Sequence, residues 1–186
     1  PNYTYVTARI LLDNIRTEAL TYLGMQKKAT LKDMETLYPL ALKSFLERGV
    51  ENEILNPELL EMDIEKLGSA IDSHKDTNFT YLGLQTLYDR YFIHDTDVRY
   101  ELPQVFFMRV SMGLALREEK REDRAIEFYN LLSSFDYMSS TPTLFNSGTQ
   151  HSQLSSCYLT TVPDDLHGIY GAIQDNAMLS KWAGGL

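Results

Sequence analysis

The 186-residue sequence predicts a mainly α-helical chain whose last fifth turns to strand, loop and helix. Three observations carry this. Apolar residues recur at helical spacing from Ala8 to Phe135, punctuated by capping signals. Composition changes after Met138, where Ser, Thr, Pro, Gly and Asn dominate as far as Gln153. Beyond that, Cys157 to Val162 reads as a buried strand and Ile169 to Trp182 as a helix.

Each element has a local cause. Ala8, Leu11, Leu12, Ile15 and Ala19 form one stripe, with Arg9, Asp13, Asn14, Arg16 and Glu18 between them, the pattern of an amphipathic helix. Gly24 helps end it. Thr30 to Asp33 has the spacing of a capping box, and Leu31, Met34, Leu37, Ala41 and Phe45 continue on one face. Pro39 lies inside that face and is expected to kink or split the helix, since proline removes a backbone donor. Gly49 is the expected stop. Asn56-Pro57 is a start signal, a capping side chain before a proline whose fixed φ suits a first helical turn. Leu59, Leu60, Ile64, Leu67 and Ile71 then face inward, and the acids between Glu58 and Glu65 face water.

Asp72 to Asn78 is polar and reads as a loop, and Phe79 to Tyr88 as a helix. Two apolar stretches, Tyr91-Phe92-Ile93 and Val98 to Leu102, flank His94-Asp95-Thr96-Asp97 and predict a small hairpin. Pro103 opens a strongly apolar helix through Leu116. The charge run Arg117 to Arg124 reads as a solvated connection, and Ala125 to Phe135 as a further helix. Asp164-Asp165 reads as a turn and helix start.

The totals narrow the function. The chain is 44% hydrophobic and 23% charged, an ordinary globular balance. A net charge of −9 supplies no electrostatic footprint for a nucleic-acid backbone. No apolar run is long enough to cross a bilayer. One cysteine excludes an internal disulfide and fits a reducing compartment. The start at Pro1, without Met, and the stop at Ala183-Gly184-Gly185-Leu186 lead to the expectation of a cut through a larger protein on both sides.

The single thiol is the residue with the most chemistry. Cys157 follows Ser155-Ser156 and a hydroxyl-rich stretch, Ser139-Ser140-Thr141-Pro142-Thr143-Leu144-Phe145-Asn146-Ser147-Gly148-Thr149. In that setting it is a candidate for redox or nucleophilic work; the alternative is an inert buried cysteine. His74, His94, His151 and His167 have no metal-ligand spacing, and no Walker-type glycine loop is present.

Five stretches in order carry a family resemblance: Asn2-Tyr3-Thr4-Tyr5-Val6-Thr7-Ala8-Arg9, Glu101-Leu102-Pro103-Gln104-Val105-Phe106-Phe107-Met108-Arg109-Val110, Ser140-Thr141-Pro142-Thr143, Ser155-Ser156-Cys157, and Leu179-Ser180-Lys181-Trp182-Ala183-Gly184-Gly185. Through them the chain resembles the large, catalytic subunit of class I ribonucleotide reductase. The resemblance implies a helical domain over 1–138, followed over 139–186 by the first strand and helix of an incomplete ten-stranded α/β barrel. It implies reduction of ribonucleotides to deoxyribonucleotides by thiyl-radical chemistry, in the cytoplasm.

The resemblance also implies residue roles. Cys157 matches the first of two cysteines that reduce the substrate and become a disulfide. Thr141, Ser156, Gly184 and Gly185 match substrate-contacting positions. Asp164, Asp165, Leu166 and Lys181 match the site of a deoxynucleotide or ATP effector, which lies at a subunit interface. The family often has serine where this chain has Asp165. No cofactor is expected in this chain. The implied partners are nucleotide substrate and effectors, a radical-generating metal-containing small subunit, a second large subunit, and thioredoxin or glutaredoxin. The radical cysteine, the second reducing cysteine and the catalytic carboxylate are not in this sequence, so the segment alone is expected to be inactive. Two other readings stand beside this one: a helical interaction module or split-gene half that joins a second chain, and a stand-alone nucleotide-binding protein.

Overall fold

A computed structural model describes residues 3–25, 28–182 and 184–185. Pro1, Asn2, Ala183 and Leu186, which belong to the two chain ends and the matching stretches discussed above, lie outside these residues. The chain divides into two units, residues 1–152 and 153–186.

In the first unit, α1 (Thr4–Tyr22) buries Ala8, Leu12, Ile15, Arg16, Ala19 and Leu20 on the expected stripe. Gly24, at φ 75°, takes the left-handed conformation that closes it. The N–H groups of Gly24 and Met25 then reach back to Thr21 O and Leu20 O, which satisfies two terminal carbonyls. Both halves of the capping box form at the start of α2 (Leu31–Glu51).

Two expectations for α2 need correction. Of the two outcomes expected at Pro39, a kink or a split, the split does not occur: the helix is continuous through that position. Pro39 lies against Gly68 of α3 (Ile64–Ser69), where a Cβ would stand 3.0 Å from Pro39 Cα. Gly49 does not stop the helix either, since α2 continues to Glu51. A Cβ at Gly49 would overlap Leu55, so the glycine makes room for a side chain. Glu53, at φ 57°, supplies the left-handed turn instead, with Glu53 N bonding Val50 O and Ile54 N bonding Gly49 O.

Asn56 caps a short 3₁₀ helix, Pro57–Glu61, by accepting from Glu58 N. The single helix expected there is broken, because Asp63 starts α3 by accepting from Lys66 N. The polar stretch expected as a loop is a second 3₁₀ helix, Ser73–Asn78, capped by Asp72. Its Asp76 is buried and accepts from Arg16 Nη2, Tyr38 Oη and Gln104 Nε2. Thr80 caps α4 (Tyr81–Arg90). The hairpin is present but short, pairing β1 (His94–Asp95) with β2 (Val98–Arg99).

Every residue of α5 (Pro103–Ala115) from Pro103 to Met112 is buried. A helix apolar on all sides belongs at the centre of a domain, and α5 has α2, α6 (Arg121–Ser133) and α7 (Thr141–Asn146) around it. Its polar members are all partnered: Gln104 with Asp76, Arg109 with Glu101, and Ser111 with Phe107 O.

The first compact unit runs to Ser152, so the Ser- and Thr-rich stretch from Ser139 packs with the helices. Two backbone bonds join that stretch to the segment that follows α2, Asn56 N to Gly148 O and Gln150 N to Ile54 O. In the second unit, α8 (Leu166–Lys181) begins at Asp165, whose carboxylate accepts from Gly168 N. Cys157 to Val162 is not a buried strand. Apart from one parallel bridge, Cys157 to Gly185, it forms no ladder among the described residues, and Leu159 is fully exposed. A strand needs a neighbour on which to pair, and Gly185 alone provides one here.

Candidate functional site

Four of the predicted site residues meet in the second unit. Tyr158 N donates to Gly185 O at 2.9 Å, and Gly185 N donates to Ser156 O. This parallel bridge fixes Ser156, Cys157 and Gly185 side by side. Ser156 Oγ lies 3.7 Å from Cys157 Sγ. The thiol is unpaired and exposed, so it is open to a reaction partner. The alternative of a cysteine buried among aliphatic groups does not hold.

Gly184 completes the turn. Its N–H donates to Leu179 O at 2.9 Å, which folds the chain back from the end of α8. A Cβ on Gly184 would stand 2.9 Å from Tyr158 Cε2 and 3.1 Å from Leu179 O. A Cβ on Gly185 would stand 2.9 Å from Ser156 O. Both approaches are closer than a side chain permits, so glycine is what lets the backbone reach Cys157. Tyr158 Oη braces the strip by donating to Ser155 O at 3.0 Å.

Thr141 belongs to the first unit. It is the first residue of α7, exposed, with its hydroxyl 3.0 Å from Tyr91 Oη. The Tyr91 ring also lies 4.7 Å from the Phe145 ring. The far end of α7 is held from inside by Arg109, whose Nη1 donates to Leu144 O at 3.1 Å and to Ser147 O at 2.8 Å. Its Nε donates to Glu101 Oε1 at 2.8 Å, and both side chains are fully buried. Sequence reading assigned no role to Tyr91, Glu101 or Arg109. The available signal was a glutamate and an arginine beside and inside an otherwise apolar helix, where isolated charges are costly unless paired.

The predicted effector residues are not gathered in one place. Asp164, Asp165 and Leu166 are at the start of α8, and Lys181 is its last residue. At 1.5 Å per residue the helix separates them by about 22 Å. Asp165 is engaged as the cap, while Lys181 Nζ lies 5.5 Å from the Trp182 ring centroid. Along α8 only Ala172 is buried; Leu166, Tyr170, Ile173 and Met178 are among the exposed apolar side chains. Among the described residues no three His, Cys, Asp or Glu side chains cluster as metal ligands. None of the described helices is long and apolar enough to cross a membrane.

The first unit is thus a helical framework with one short hairpin, and the second carries Cys157 on a glycine-backed strip. Residues 77–152 match the family model described as ribonucleotide reductase, all-alpha domain. The ribonucleoside-diphosphate reductase subunit alpha of Chlamydia muridarum is 52% identical over the whole chain, which covers 17% of that relative. The alpha subunit of Helicobacter pylori is 37% identical, as is the large subunit of Danio rerio, each with the whole chain aligned to 22% of the relative. The chain is thus related along its entire length to the large subunits of ribonucleoside-diphosphate reductase, and it spans about a fifth of the length of these curated relatives.

Proposed function

We propose that this chain is the helical framework and part of the substrate-reducing wall of a ribonucleoside-diphosphate reductase alpha subunit. The observation that carries the reading is the bridge that holds Cys157 Sγ exposed between Ser156 and Gly185. In the whole subunit Cys157 is one of two thiols that reduce the ribose. The balance is simple: two thiols lose two electrons and two protons and form a disulfide, the 2′-hydroxyl leaves as water, and hydrogen takes its place. A disulfide requires the second sulfur at bonding distance, and an exposed thiol on a narrow backbone strip is suited to that approach.

We assign nucleotide contact separately to Thr141 in the first unit and to Ser156 and the Gly184-Gly185 backbone in the second. Hydroxyl and N–H donors match the acceptors of ribose and diphosphate, and the glycines allow the substrate to lie against the main chain. Asp164, Asp165, Leu166 and Lys181 take part in binding a deoxynucleotide or ATP effector. Their placement at opposite ends of α8 fits a site completed by a second large subunit, and the exposed apolar residues of α8 fit such an interface. The radical comes from a metal-containing small subunit, and thioredoxin or glutaredoxin restores the thiols. The setting is the cytoplasm.

The test is Cys157→Ser in the full-length alpha subunit. Turnover with the dithiol reductant is expected to stop while the circular-dichroism spectrum and unfolding midpoint stay unchanged. Sustained multiple turnover by that variant rejects the assignment.

A further inference from the structure

We infer that Tyr91 is a positioning residue for the nucleotide, acting through the Thr141 hydroxyl and held in place by the buried Glu101–Arg109 pair. The inference rests on the assignment of Thr141 to substrate binding.

The two hydroxyls stand 3.0 Å apart, and the segments that carry them share one anchor. On one side, Ile93 N donates to Glu101 Oε2 at 2.8 Å, two residues beyond Tyr91. On the other, Arg109 Nη1 donates to the carbonyl oxygens of Leu144 and Ser147, which fixes the end of the helix that Thr141 begins. The pair itself is closed by Arg109 Nε on Glu101 Oε1 at 2.8 Å and Nη2 on Oε2 at 3.2 Å. One buried ion pair therefore sets the spacing between Tyr91 and Thr141. The Phe145 ring, 4.7 Å from that of Tyr91, limits the phenol to a narrow range of positions.

A phenol is more acidic than an alkyl hydroxyl and is the better donor of the two. Either hydroxyl can donate across this contact; in the arrangement we infer, Tyr91 donates to Thr141 Oγ1, which frees the threonine proton for an outside acceptor. Thr141 is exposed, so that proton is available to an acceptor on a ligand. A hydroxyl that already accepts a hydrogen bond also donates more strongly, because the two bonds polarise each other. The ligand class this favours is an anionic oxygen, such as a nucleotide phosphate.

The experiment is a double-mutant cycle in the full-length alpha subunit, read by steady-state kinetics with a ribonucleoside diphosphate. Tyr91→Phe is expected to raise KM about fivefold, the loss of roughly one neutral hydrogen bond, with kcat falling less than twofold. In a Thr141→Ala background the same change is expected to leave KM where Thr141→Ala alone puts it. A merely structural role for Tyr91 lowers the unfolding midpoint and affects both backgrounds equally. An unchanged KM for Tyr91→Phe, or the same rise in both backgrounds, overturns the inference. Unaltered KM in Thr141→Ala itself removes the assignment on which it rests, and separates that failure from a failure of Tyr91.

Discussion

Arg16 on α1 and Asp76 of the second 3₁₀ helix form an ion pair at 3.0 Å with side chains 8% and 0% exposed. Tyr38 Oη and Gln104 Nε2 also donate to the same carboxylate, and Tyr129 Oη donates to Gln104 Oε1. Five elements of the first unit are thus tied to one buried acid. Burial pushes the Asp76 carboxyl above its ordinary 3.8, against the opposing pull of Arg16, Gln104 and Tyr38.

Asp76→Asn leaves the Arg16 guanidinium buried without a counter-charge. Removing one partner of a buried pair costs about 3–5 kcal/mol. The expected result is a loss of that size in denaturant-unfolding stability of the chain. A loss below about 1 kcal/mol would show that water reaches the pair and screens it.

The Thr30–Asp33 box makes a pH-dependent contribution. The Thr30 backbone N–H, and then its hydroxyl, hold the Asp33 carboxyl below its ordinary 3.8. Stability gained from a lowered carboxylate pKa is fully present above the unfolded value and drains as pH falls through the folded one. Asp33→Asn is therefore expected to melt lower than the parent at pH 7. The gap should narrow once the pH drops below about 3.8. Melting curves of the two proteins between pH 2 and pH 7 check this.

Gly113 faces the Ser147-Gly148 turn so closely that a Cβ would overlap Gly148 N and Ser147 Oγ. Ser147 Oγ in turn donates to Val110 O at 2.7 Å. Gly113→Ala must push the turn off α5, and overpacking of this kind costs about 1–3 kcal/mol. Hydrogen exchange should speed up at Ser147 and Gln150, whose amides are bonded to Thr143 O and Ile54 O.

Cys157 is the one thiol of the sequence and it is exposed. A native sample should release one equivalent of thionitrobenzoate from Ellman's reagent without denaturant. Labelling that appears only after unfolding contradicts the exposed strip described above.

Much of the fold is legible in the sequence because its causes are local. The Ala8–Ala19 stripe, the Thr30–Asp33 box, the Asn56 cap, the hairpin around Thr96 and the Asp165 region each depend on residues within one or two turns. What escapes is decided across space. Asp76 lies in a stretch polar enough to read as a loop, and only the arrival of Arg16, Tyr38 and Gln104 allows it to be buried. Gly49 has the composition of a stop, yet Leu55 determines its use. An apolar run such as Cys157–Val162 becomes a buried strand only where neighbours cover it. For the site, the lone thiol of Cys157 stood out by its setting and the family resemblance added Ser156, Gly184 and Gly185, which the structure places beside it. Tyr91, Glu101 and Arg109 received no role because their link to Thr141 runs through a hydroxyl contact, an ion pair and backbone groups of segments distant in sequence, which no local pattern encodes.

The ladder that joins residues 54–56 to 148–150 also orders events during synthesis. The guanidinium of Arg109 leaves the ribosome well before the carbonyl oxygens of Leu144 and Ser147 that it will grip. Until that turn emerges, the nascent helices hold a charged group whose final acceptors have yet to be made. The helical unit is therefore expected to reach its full stability only once Gln150 has cleared the exit tunnel, and a nascent chain arrested before that point is expected to be more sensitive to protease.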